Sequence, residues 1–209
     1  MEKDAKRDIH KIVCHLTTAH SPYDERIFLK EAKSLVKAGY DVTLIAQHDR
    51  EEVVDGVRIL PLARPKSRIE RMTKTVWQTY RLARQVNADV YHFHDPELIP
   101  IGLLLKRQGK KVIYDVHEYY KNKILSKPYI KSSLRKIIAD FFNFFENNSS
   151  KFFDVVIVTD NYTKAKFNAN NTHRVANFPQ FLCIRKNKRD DDKVVCVYSG
   201  GLSEDRGVI

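Results

Sequence analysis

Three short segments of the chain are rich in histidine: HLTTAHSPYDER, HFHDPE and DVHEYY. Each lies at the end of an apolar run that predicts a β-strand. A neutral imidazole can donate or accept a proton near pH 7, and it is also a common zinc ligand. The residue types therefore indicate either the handling of polar substrate groups or a metal site. The histidines concerned are His15, His20, His92, His94 and His117.

These histidines could bind zinc. His92 and His94 are two residues apart on a predicted strand and so face the same side, and His117 would supply a third imidazole. An HxH pair is short and arises by chance, however, and the later strands offer no further ligands. We therefore expect no metal. His92 is predicted to face the core and hydrogen-bond a backbone group, whereas His94 and His117 are predicted to line a cleft.

Charged residues accompany two of these segments. Glu118, next to His117, either helps to position a substrate hydroxyl or caps the segment that follows. Asp24 and Arg26 stand at the predicted start of a helix, where free N–H groups and the helix dipole favour an anion. We predict Asp24 as the N-cap. Arg26 is compatible with a phosphate contact or with an ion pair to Asp24 or Glu31.

A glycine turn near the end of the chain is a second candidate for anion binding. In GGLSEDRG, Gly200 and Gly201 directly follow a predicted strand and let the backbone approach a bulky anion, with Arg206 as a counter-charge. The chain contains neither a GxxxxGK loop nor a GxGxxG motif. A phosphate-loop ATPase and a dinucleotide-binding fingerprint are therefore unsupported.

Short apolar runs alternate with helical segments along most of the chain. A helix from Asp24 to about Ala38, ending at Gly39, separates the first two runs. This alternation predicts an α/β fold with a doubly wound, mainly parallel Rossmann-like sheet, and the chain is short for a closed barrel. We predict one domain over residues 1–177, a linker over 178–193 and the start of a second domain at 194–209. The predicted strands are Ile9–Leu16, Tyr40–Ala46, Val57–Leu62, Asp89–His94, Lys111–His117, Asp154–Asp160 and His173–Asn177.

Composition narrows the class of protein further. The 209 residues include 37 Lys and Arg against 26 Asp and Glu, a net charge of +11, and 43% are hydrophobic. This is a globular composition, and Cys14, Cys183 and Cys196 form no disulfide or metal-finger pattern. No apolar run is long enough to span a membrane. We expect a cytoplasmic protein.

The positive charge suits nucleic acid, an anionic membrane or a phosphate-bearing substrate. Nucleic acid is disfavoured because the chain has no helix-turn-helix, RNA-binding aromatic or zinc-module signature. The basic helix predicted at Ser67–Val86 suits a lipid surface or simply covers the sheet. The aromatic run Phe141–Phe153 is compatible with core packing or with a docking face.

Four segments together resemble the N-terminal half of family 4 glycosyltransferases of the two-domain GT-B type. They read HLTTAHSPYDERIFLKEAKSLVKAGYDVTLIA, ADVYHFHDPEL, KKVIYDVHE and VYSGGLSEDRG, and their order and spacing match over nearly the whole chain. The resemblance implies two facing Rossmann-like domains that transfer a sugar from a nucleotide donor with retention and without a bound metal. This domain would mostly hold the acceptor. The donor domain would start near residue 194, so we expect little transferase activity from this chain alone.

The resemblance also implies roles for the candidate residues. His117 would reach the donor sugar near the reacting carbon, the loop Thr18–Arg26 with His20, Asp24 and Arg26 would border both substrates, and His94 with Asp95 would line the same cleft. Gly200, Gly201 and Arg206 match the loop that holds the donor diphosphate, although many members have arginine in place of Gly201.

The same resemblance suggests the ligands and partners. No cofactor is expected beyond a nucleotide-diphosphate sugar as the donor substrate, and the acceptor would be a glycan or a lipid-linked glycan of the cell envelope. A separate donor-domain chain and peripheral contact with the inner face of the membrane are the partners it suggests. The alternative is a non-catalytic module that binds a glycan or lipid-phosphate without turnover.

Overall fold

The chain divides into two units, Met1–Asn177 and Phe178–Ile209. The computed structural model describes residues 11–168 and 170–178, which is nearly all of the first unit. The predicted linker beyond residue 178, Cys183, Cys196 and the glycine turn with Gly200, Gly201 and Arg206 lie outside the described residues.

The first unit is built on one eight-stranded sheet with the strand order β3-β4-β2-β1-β5-β6-β7-β8. All neighbouring strands pair in parallel except β3, which is antiparallel to β4. The predicted doubly wound α/β class is therefore confirmed. The strands are β1 (Ile12–Leu16), β2 (Asp41–Gln47), β3 (Glu52–Val54), β4 (Val57–Leu62), β5 (Val90–Phe93), β6 (Lys111–Val116), β7 (Val155–Val158) and β8 (Thr172–Arg174).

Strand β3 was not predicted. It forms a tight hairpin with β4 through Asp55 and Gly56, whose φ angles are 50° and 81°. Two successive positive φ angles belong to the two-residue turn that suits a right-handed twisted hairpin, and Asp-Gly is a preferred sequence for it. The edge of the sheet beyond β4 is therefore covered by a short antiparallel strand.

Helices cover the connections between the strands. Helix α1 has a π-helical part, Glu25–Ala32, and an α-helical part, Lys33–Lys37, which confirms the predicted helix within a few residues. Helix α2 runs through Arg68–Glu70, Arg71–Thr75 and Val76–Val86, with Ser67 as its N-cap. The others are α3 (a 3₁₀ turn Pro96–Leu98 and Ile99–Arg107), α4 (Tyr120–Leu125), α5 (Ser132–Ser150) and α6 (Asn161–Lys164).

The two faces of the sheet differ in polarity. Alternate residues of β1, β5 and β6, including Leu16, Phe93 and Tyr114, join one large apolar core. On the opposite face, Ile27 and Phe28 of α1 form a second apolar cluster that includes residues of β2 and β4. On this second face, β1, β5 and β6 begin with Val13, Val90 and Ile113 and carry His15, His92 and Asp115 towards their carboxyl ends. Strands β2 to β4 lie on one side of β1, and strands β5 to β8 lie on the other. Such a change of direction places a crevice at the carboxyl ends of β1 and β5.

The aromatic run Phe141–Phe153 is only partly used for core packing. Phe153 is buried in the large core, whereas Phe141 and Phe144 are 71% and 69% exposed. The run therefore combines core packing with an exposed apolar surface.

A carboxyl group of α5 is buried in the large core. Glu146 and Tyr114 are both fully buried, and the Tyr114 hydroxyl donates a 2.6 Å hydrogen bond to Glu146 Oε1. Burial raises the pKa of Glu146 to about 7, and the hydrogen bond from Tyr114 only partly opposes this. Above that pH the fold must hold a buried carboxylate with a single neutral donor.

We predict that Glu146 makes the protein less stable as the pH rises. Its pKa is higher in the folded chain than the ordinary 4.5, so the folded state binds more protons between pH 4.5 and 7. In this window the free energy of unfolding falls by up to about 3 kcal/mol as the pH increases. Glu146→Gln should remove this slope, as measured by urea unfolding at pH 5 and pH 8. Glu25→Gln, at an exposed carboxylate of α1, is the control, and equal slopes in all three proteins would contradict the prediction.

Candidate functional site

A buried ion pair joins α1 to β6 on the polar face of the sheet. Arg26 donates from Nε to Asp115 Oδ2 at 2.8 Å and from Nη2 to Asp115 Oδ1 at 3.0 Å. Arg26 Nε also lies 3.1 Å from Glu31 Oε1, and its Nη1 donates to the carbonyl of Val175 at 3.3 Å. Both members of the pair are buried. The guanidinium group of Arg26 is therefore engaged by groups of the protein itself. The predicted ion pair with Glu31 is present, and Asp115 is a partner that was not predicted.

Asp115 also organises the histidines. His117 Nε2 lies 3.3 Å and His94 Nδ1 3.4 Å from Asp115 Oδ2. Burial alone would raise the pKa of Asp115, but hydrogen bonds from His117, His94 and Arg26 hold it well below its usual range. The carboxylate therefore stays ionised and accepts from every donor around it.

The imidazole rings continue inwards from the crevice as a connected series. His94 Nδ1 lies 3.2 Å from His117 Nε2, and His94 Nε2 lies 3.1 Å from His15 Nδ1. Burial lowers the pKa of His15 to about 3 and also lowers the pKa of His94. Both rings are neutral near pH 7 and fully buried, whereas the side chain of His117 is 17% exposed. Of these three histidines, only His117 is open to a ligand.

A second carboxylate holds the loop that follows β1. Asp95 Oδ2 accepts hydrogen bonds of 2.7 Å from both Thr17 Oγ1 and the Thr18 N–H. His20, in the same loop, has Nδ1 3.3 Å from Asp24 Oδ2 and Nε2 3.6 Å from Asp95 Oδ1. The hydrogen bond to Asp24 raises the pKa of His20. The ring centres of His20 and His117 are 5.0 Å apart, so two partly exposed imidazoles lie side by side at the crevice.

Asp24 links this loop to helix α1. Its Oδ1 accepts from the N–H groups of Arg26 and Ile27 at 2.9 and 3.0 Å, which confirms the predicted N-cap. The hydrogen bonds from His20 and from these backbone groups lower the pKa of Asp24, although burial opposes them. Asp24 therefore orients His20 and the start of α1 together.

A groove of about 540 Å³ extends from His20 and Asp95 along the surface between α2, α4 and α5. Arg71 on one wall lies 2.9 Å from Glu97, and Arg68 stacks 4.1 Å above the ring of Tyr129. The groove is basic at its rim and apolar along its wall. The apolar residues are Met72, Tyr120, Ile124, Ile138, Phe141 and Phe142, and the lysines are Lys123 and Lys127.

Two of the sequence predictions need correction. His94 does not line the cleft, because it is fully buried beneath His117 and acts as a support for it. His92 is buried as predicted, but within residues 11–168 and 170–178 it has no backbone hydrogen bond, and its ring packs on those of His15 and His94. Both residues face α1, since alternate positions of β5 share a side.

Glu118 does not cap the segment that follows it, and its predicted role towards a substrate hydroxyl stays a prediction. Helix α4 begins after Tyr119, and the carboxylate of Glu118 lies 2.6 Å from Lys123 Nζ on the surface. His20, Asp95 and His117, by contrast, come together at one edge of the sheet.

Sequence reasoning missed two residues of the site, Asp115 and Thr17, and it assigned no specific role to His15 or to Thr18, the first residue of the predicted loop. Glu31 was considered only as an ion-pair partner of Arg26. For Asp115 a signal was available, because it stands two residues before His117 and therefore on the same side of β6. Glu31 and His15 lie behind the cleft with His92 and His94, and burial raises the pKa of Glu31 to about 9. These four residues, and the set of His94, Asp115 and His117, are the described groups close enough together to hold a metal ion.

We predict that Arg26→Lys lowers the free energy of unfolding by about 1–3 kcal/mol. A lysine cannot reproduce the planar two-point contact with Asp115, so one buried carboxylate oxygen loses its charged donor. Arg50→Lys is the matched control, because Arg50 also makes two hydrogen bonds to a carboxylate, that of Glu52, but is exposed. We expect a loss below about 1 kcal/mol there. Urea unfolding at pH 7 measures both, and equal losses would contradict a special role for the buried pair.

A family model places the chain among known proteins. The model of Glycosyltransferase Family 4 matches residues 24–176. No curated protein sequence matches the chain. Among the described helices, none is long and apolar enough to cross a membrane.

Solved structures share the fold at low sequence identity. Sucrose-phosphate synthase from Thermosynechococcus elongatus has a TM-score of 0.58 at 14% identity, over 80% of this chain and 48% of that chain. The catalytic domain of starch synthase IV from Arabidopsis thaliana, bound to ADP and acarbose, has a TM-score of 0.55 at 11% identity, over 80% and 52%. Anabaena HepE in complex with UDP and glucose has a TM-score of 0.52 at 11% identity, over 80% and 45%.

The chain spans about half the length of these structures. The strand order, the position of the crevice and the family match agree with one another. The chain belongs to glycosyltransferase family 4, and its described part has the Rossmann-like fold of the N-terminal half of a GT-B glycosyltransferase.

Proposed function

We propose that this chain is the acceptor-side domain of a retaining glycosyltransferase that moves a sugar from a nucleoside diphosphate to a lipid-linked glycan of the cell envelope. The observation that carries the proposal is the meeting of His20, Asp95 and His117 at the mouth of a basic and aromatic groove. The family match supports the class of reaction. The structural neighbours crystallised with UDP or ADP support a nucleoside diphosphate as the leaving group.

The chemistry of the groove supports a lipid-linked acceptor. Arg68, Arg71 and two lysines provide cations for a phosphate or diphosphate linkage. Aromatic and aliphatic side chains along the wall suit the faces of sugar rings or an isoprenoid chain. Arg71 and Lys123 already contact Glu97 and Glu118, respectively. The four cations still outnumber Asp95 and Glu97, the acidic residues that line the groove, so the acceptor class we favour carries phosphate.

His117 is the residue that would act at the reacting sugar. Its Nε2 is held by Asp115 and His94, and among the described residues its Nδ1 makes no hydrogen bond. That nitrogen is free to bind a hydroxyl of the donor sugar at the mouth of the groove. The diphosphate would be held by a donor-binding domain, which Gly200, Gly201 and Arg206 would begin and which either the same protein or a separate chain would provide. The transfer would need no cofactor.

The test of this function is sugar transfer from a panel of nucleoside diphosphate sugars to lipid-linked and free glycans, with the chain alone and with a separately expressed donor-binding domain. We expect His117→Ala to lower the initial rate at least about 100-fold, because it removes the group that faces the reacting centre. Acceptor binding, measured by calorimetry, should remain. His173→Gln, at an exposed histidine of β8, is the control with an unchanged rate.

Two results would overturn parts of this proposal. A product with inverted anomeric configuration would contradict the retaining mechanism. Acceptor binding without transfer in every combination would favour a non-catalytic module that binds a glycan or lipid-phosphate.

We also propose that the protein works at the cytoplasmic face of a membrane, where lipid-linked acceptors are found. The first half of α2 exposes Ile69, Met72 and Trp77 beside Arg68 and Lys74, and the whole chain carries a net charge of +11. Exposed apolar and basic side chains on one helix suit an anionic lipid surface. Exposed Phe141 and Phe144 of α5 add to the apolar surface around the groove.

The single tryptophan gives a direct test of membrane contact, because Trp77 is 58% exposed. We predict that vesicles containing anionic lipid shift its fluorescence to shorter wavelength, that neutral vesicles do not, and that salt weakens the effect. Lys74→Gln should lower the vesicle affinity by about 5-fold, the effect of one charge near the surface. Arg58→Gln, which removes a charge from β4, should lower the vesicle affinity by a smaller factor. An unchanged tryptophan spectrum with both kinds of vesicle would exclude this surface.

A further inference from the structure

Four potential metal ligands converge behind the cleft, on the polar face of the sheet. His15 comes from β1, His92 and His94 from β5, and Glu31 from α1, and one ligand atom of each lies within 4.8 Å of the others. His15 Nδ1 and His94 Nε2 are 3.1 Å apart. Glu31 Oε2 lies 3.9 Å from His15 Nδ1, 4.0 Å from His92 Nδ1 and 3.8 Å from His94 Nε2.

These separations suit a tetrahedral ion. Nitrogen and oxygen ligands lie about 2.0–2.2 Å from zinc, so the edges of the tetrahedron are about 3.3–3.6 Å long. Four of the six separations are 3.1 to 4.0 Å, and the other two, between His92 and the imidazoles of His15 and His94, lie within 4.8 Å. Side-chain shifts of up to about 1 Å, the largest in His92, would complete the coordination.

The cluster also leaves polar atoms without partners. Within the part of the chain that the structure describes, Glu31 Oε2 is a buried atom with no hydrogen bond. The side chain of His92 is only 7% exposed, and its Nδ1 is the ring atom that lies 4.0 Å from Glu31 Oε2. His92 Nε2, which has no hydrogen bond, lies instead 3.9 Å from Asp115 Oδ2. A buried polar atom without a partner is costly, and a cation between the four side chains would give Glu31 Oε2 that partner.

The surroundings provide the outer contacts that a bound metal requires. His94 uses its second nitrogen, Nδ1, to contact Asp115 Oδ2 at 3.4 Å, and Glu31 uses its second oxygen, Oε1, to contact Arg26 Nε at 3.1 Å. A carboxylate behind a ligating imidazole fixes the ring and makes it a better ligand. A cavity of about 490 Å³ that reaches Glu31 and His92 gives an ion access from outside.

We propose that His15, His92, His94 and Glu31 bind one Zn²⁺ ion as a closed structural site. Three imidazoles and one carboxylate form a complete tetrahedral set with no position left for water or substrate, which is typical of a structural rather than a catalytic zinc. The site lies behind His117 and is independent of the proposed transfer reaction. This proposal differs from the prediction of no metal, which was based on the lack of further ligands in the later strands. The additional ligands, His15 and Glu31, come from the earlier elements β1 and α1.

The neighbouring set of His94, Asp115 and His117 is the weaker candidate. Both oxygens of Asp115 already accept hydrogen bonds from Arg26, so its charge is neutralised and its lone pairs are engaged. Glu31 has one oxygen free for an ion. Because the two sets share His94, an ion on the first set would also hold the ring that supports His117.

The experiment is zinc titration of the full chain after removal of metal by a chelator, with a competing indicator to measure affinity. We expect one ion per chain and a higher melting temperature with zinc than with chelator. Cobalt in place of zinc should give the intense visible absorption of a four-coordinate site. Glu31→Gln and His92→Gln should each weaken zinc binding at least about 10-fold. His48→Gln removes an imidazole paired with Glu52 away from the cluster and should leave the affinity unchanged.

The outcomes separate this site from its neighbour and from surface binding. His117→Gln should keep the zinc affinity, so loss of zinc in that variant, with retention in His92→Gln, would overturn the proposal in favour of the cleft set. A weak cobalt spectrum of a six-coordinate ion, or no zinc bound by the unaltered chain, would overturn it outright. Circular dichroism of each metal-free variant checks folding. Should a variant not fold, the stoichiometry and cobalt spectrum of the unaltered chain decide.

Discussion

The buried contact between Arg26 and Asp115 is the constraint on which the carboxyl edge of the sheet depends. Two charges withdrawn from water are stable only when each satisfies the other, and removal of one partner from such a pair typically costs about 3–5 kcal/mol. The two-point hydrogen bond joins α1 to β6 across β1 and β5. The start of α1 is therefore fixed, and with it Asp24, the loop after β1 and His20.

Burial determines the charge of the inner histidines. Asp115 raises the pKa of both His15 and His94, but the loss of hydration outweighs this contribution. Burial then keeps His15 and His94 neutral, so they act as hydrogen-bonding supports. His117 is the outermost ring of this series, held by His94 and Asp115, and its side chain is 17% exposed next to His20. Orientation of a polar group by fixed neighbours is the contribution that this architecture makes to chemistry.

The sequence predicts the sheet and many of the residues at its carboxyl edge. It does not predict contacts between residues that are distant in the chain. Apolar runs and the alternation of strands and helices predict the fold because each is a local pattern. The pairing of Arg26 with Asp115 spans 89 residues, and Arg26 has nearer acids as alternatives, so no local pattern identifies it. The burial of His94 depends on strand order, since β5 lies between β1 and β6. Strand β3, in contrast, is a local feature that the sequence analysis missed. Asp55-Gly56 is a clear hairpin signal, but the strands that it joins pair over only three residues each.

The division of the α1-facing layer into an apolar and a polar half carries a functional implication. Over β2 and β4 the helix packs with Ile27 and Phe28, which is what stability alone requires. At the carboxyl ends of β1, β5 and β6 the same face carries imidazoles and carboxylates, several of them fully buried. Buried polar groups are tolerated only when they are satisfied, and apolar residues of similar size would serve stability at least as well. A sheet that keeps polar residues there, directly behind its carboxyl edge, is built to hold the side chains of that edge in one arrangement.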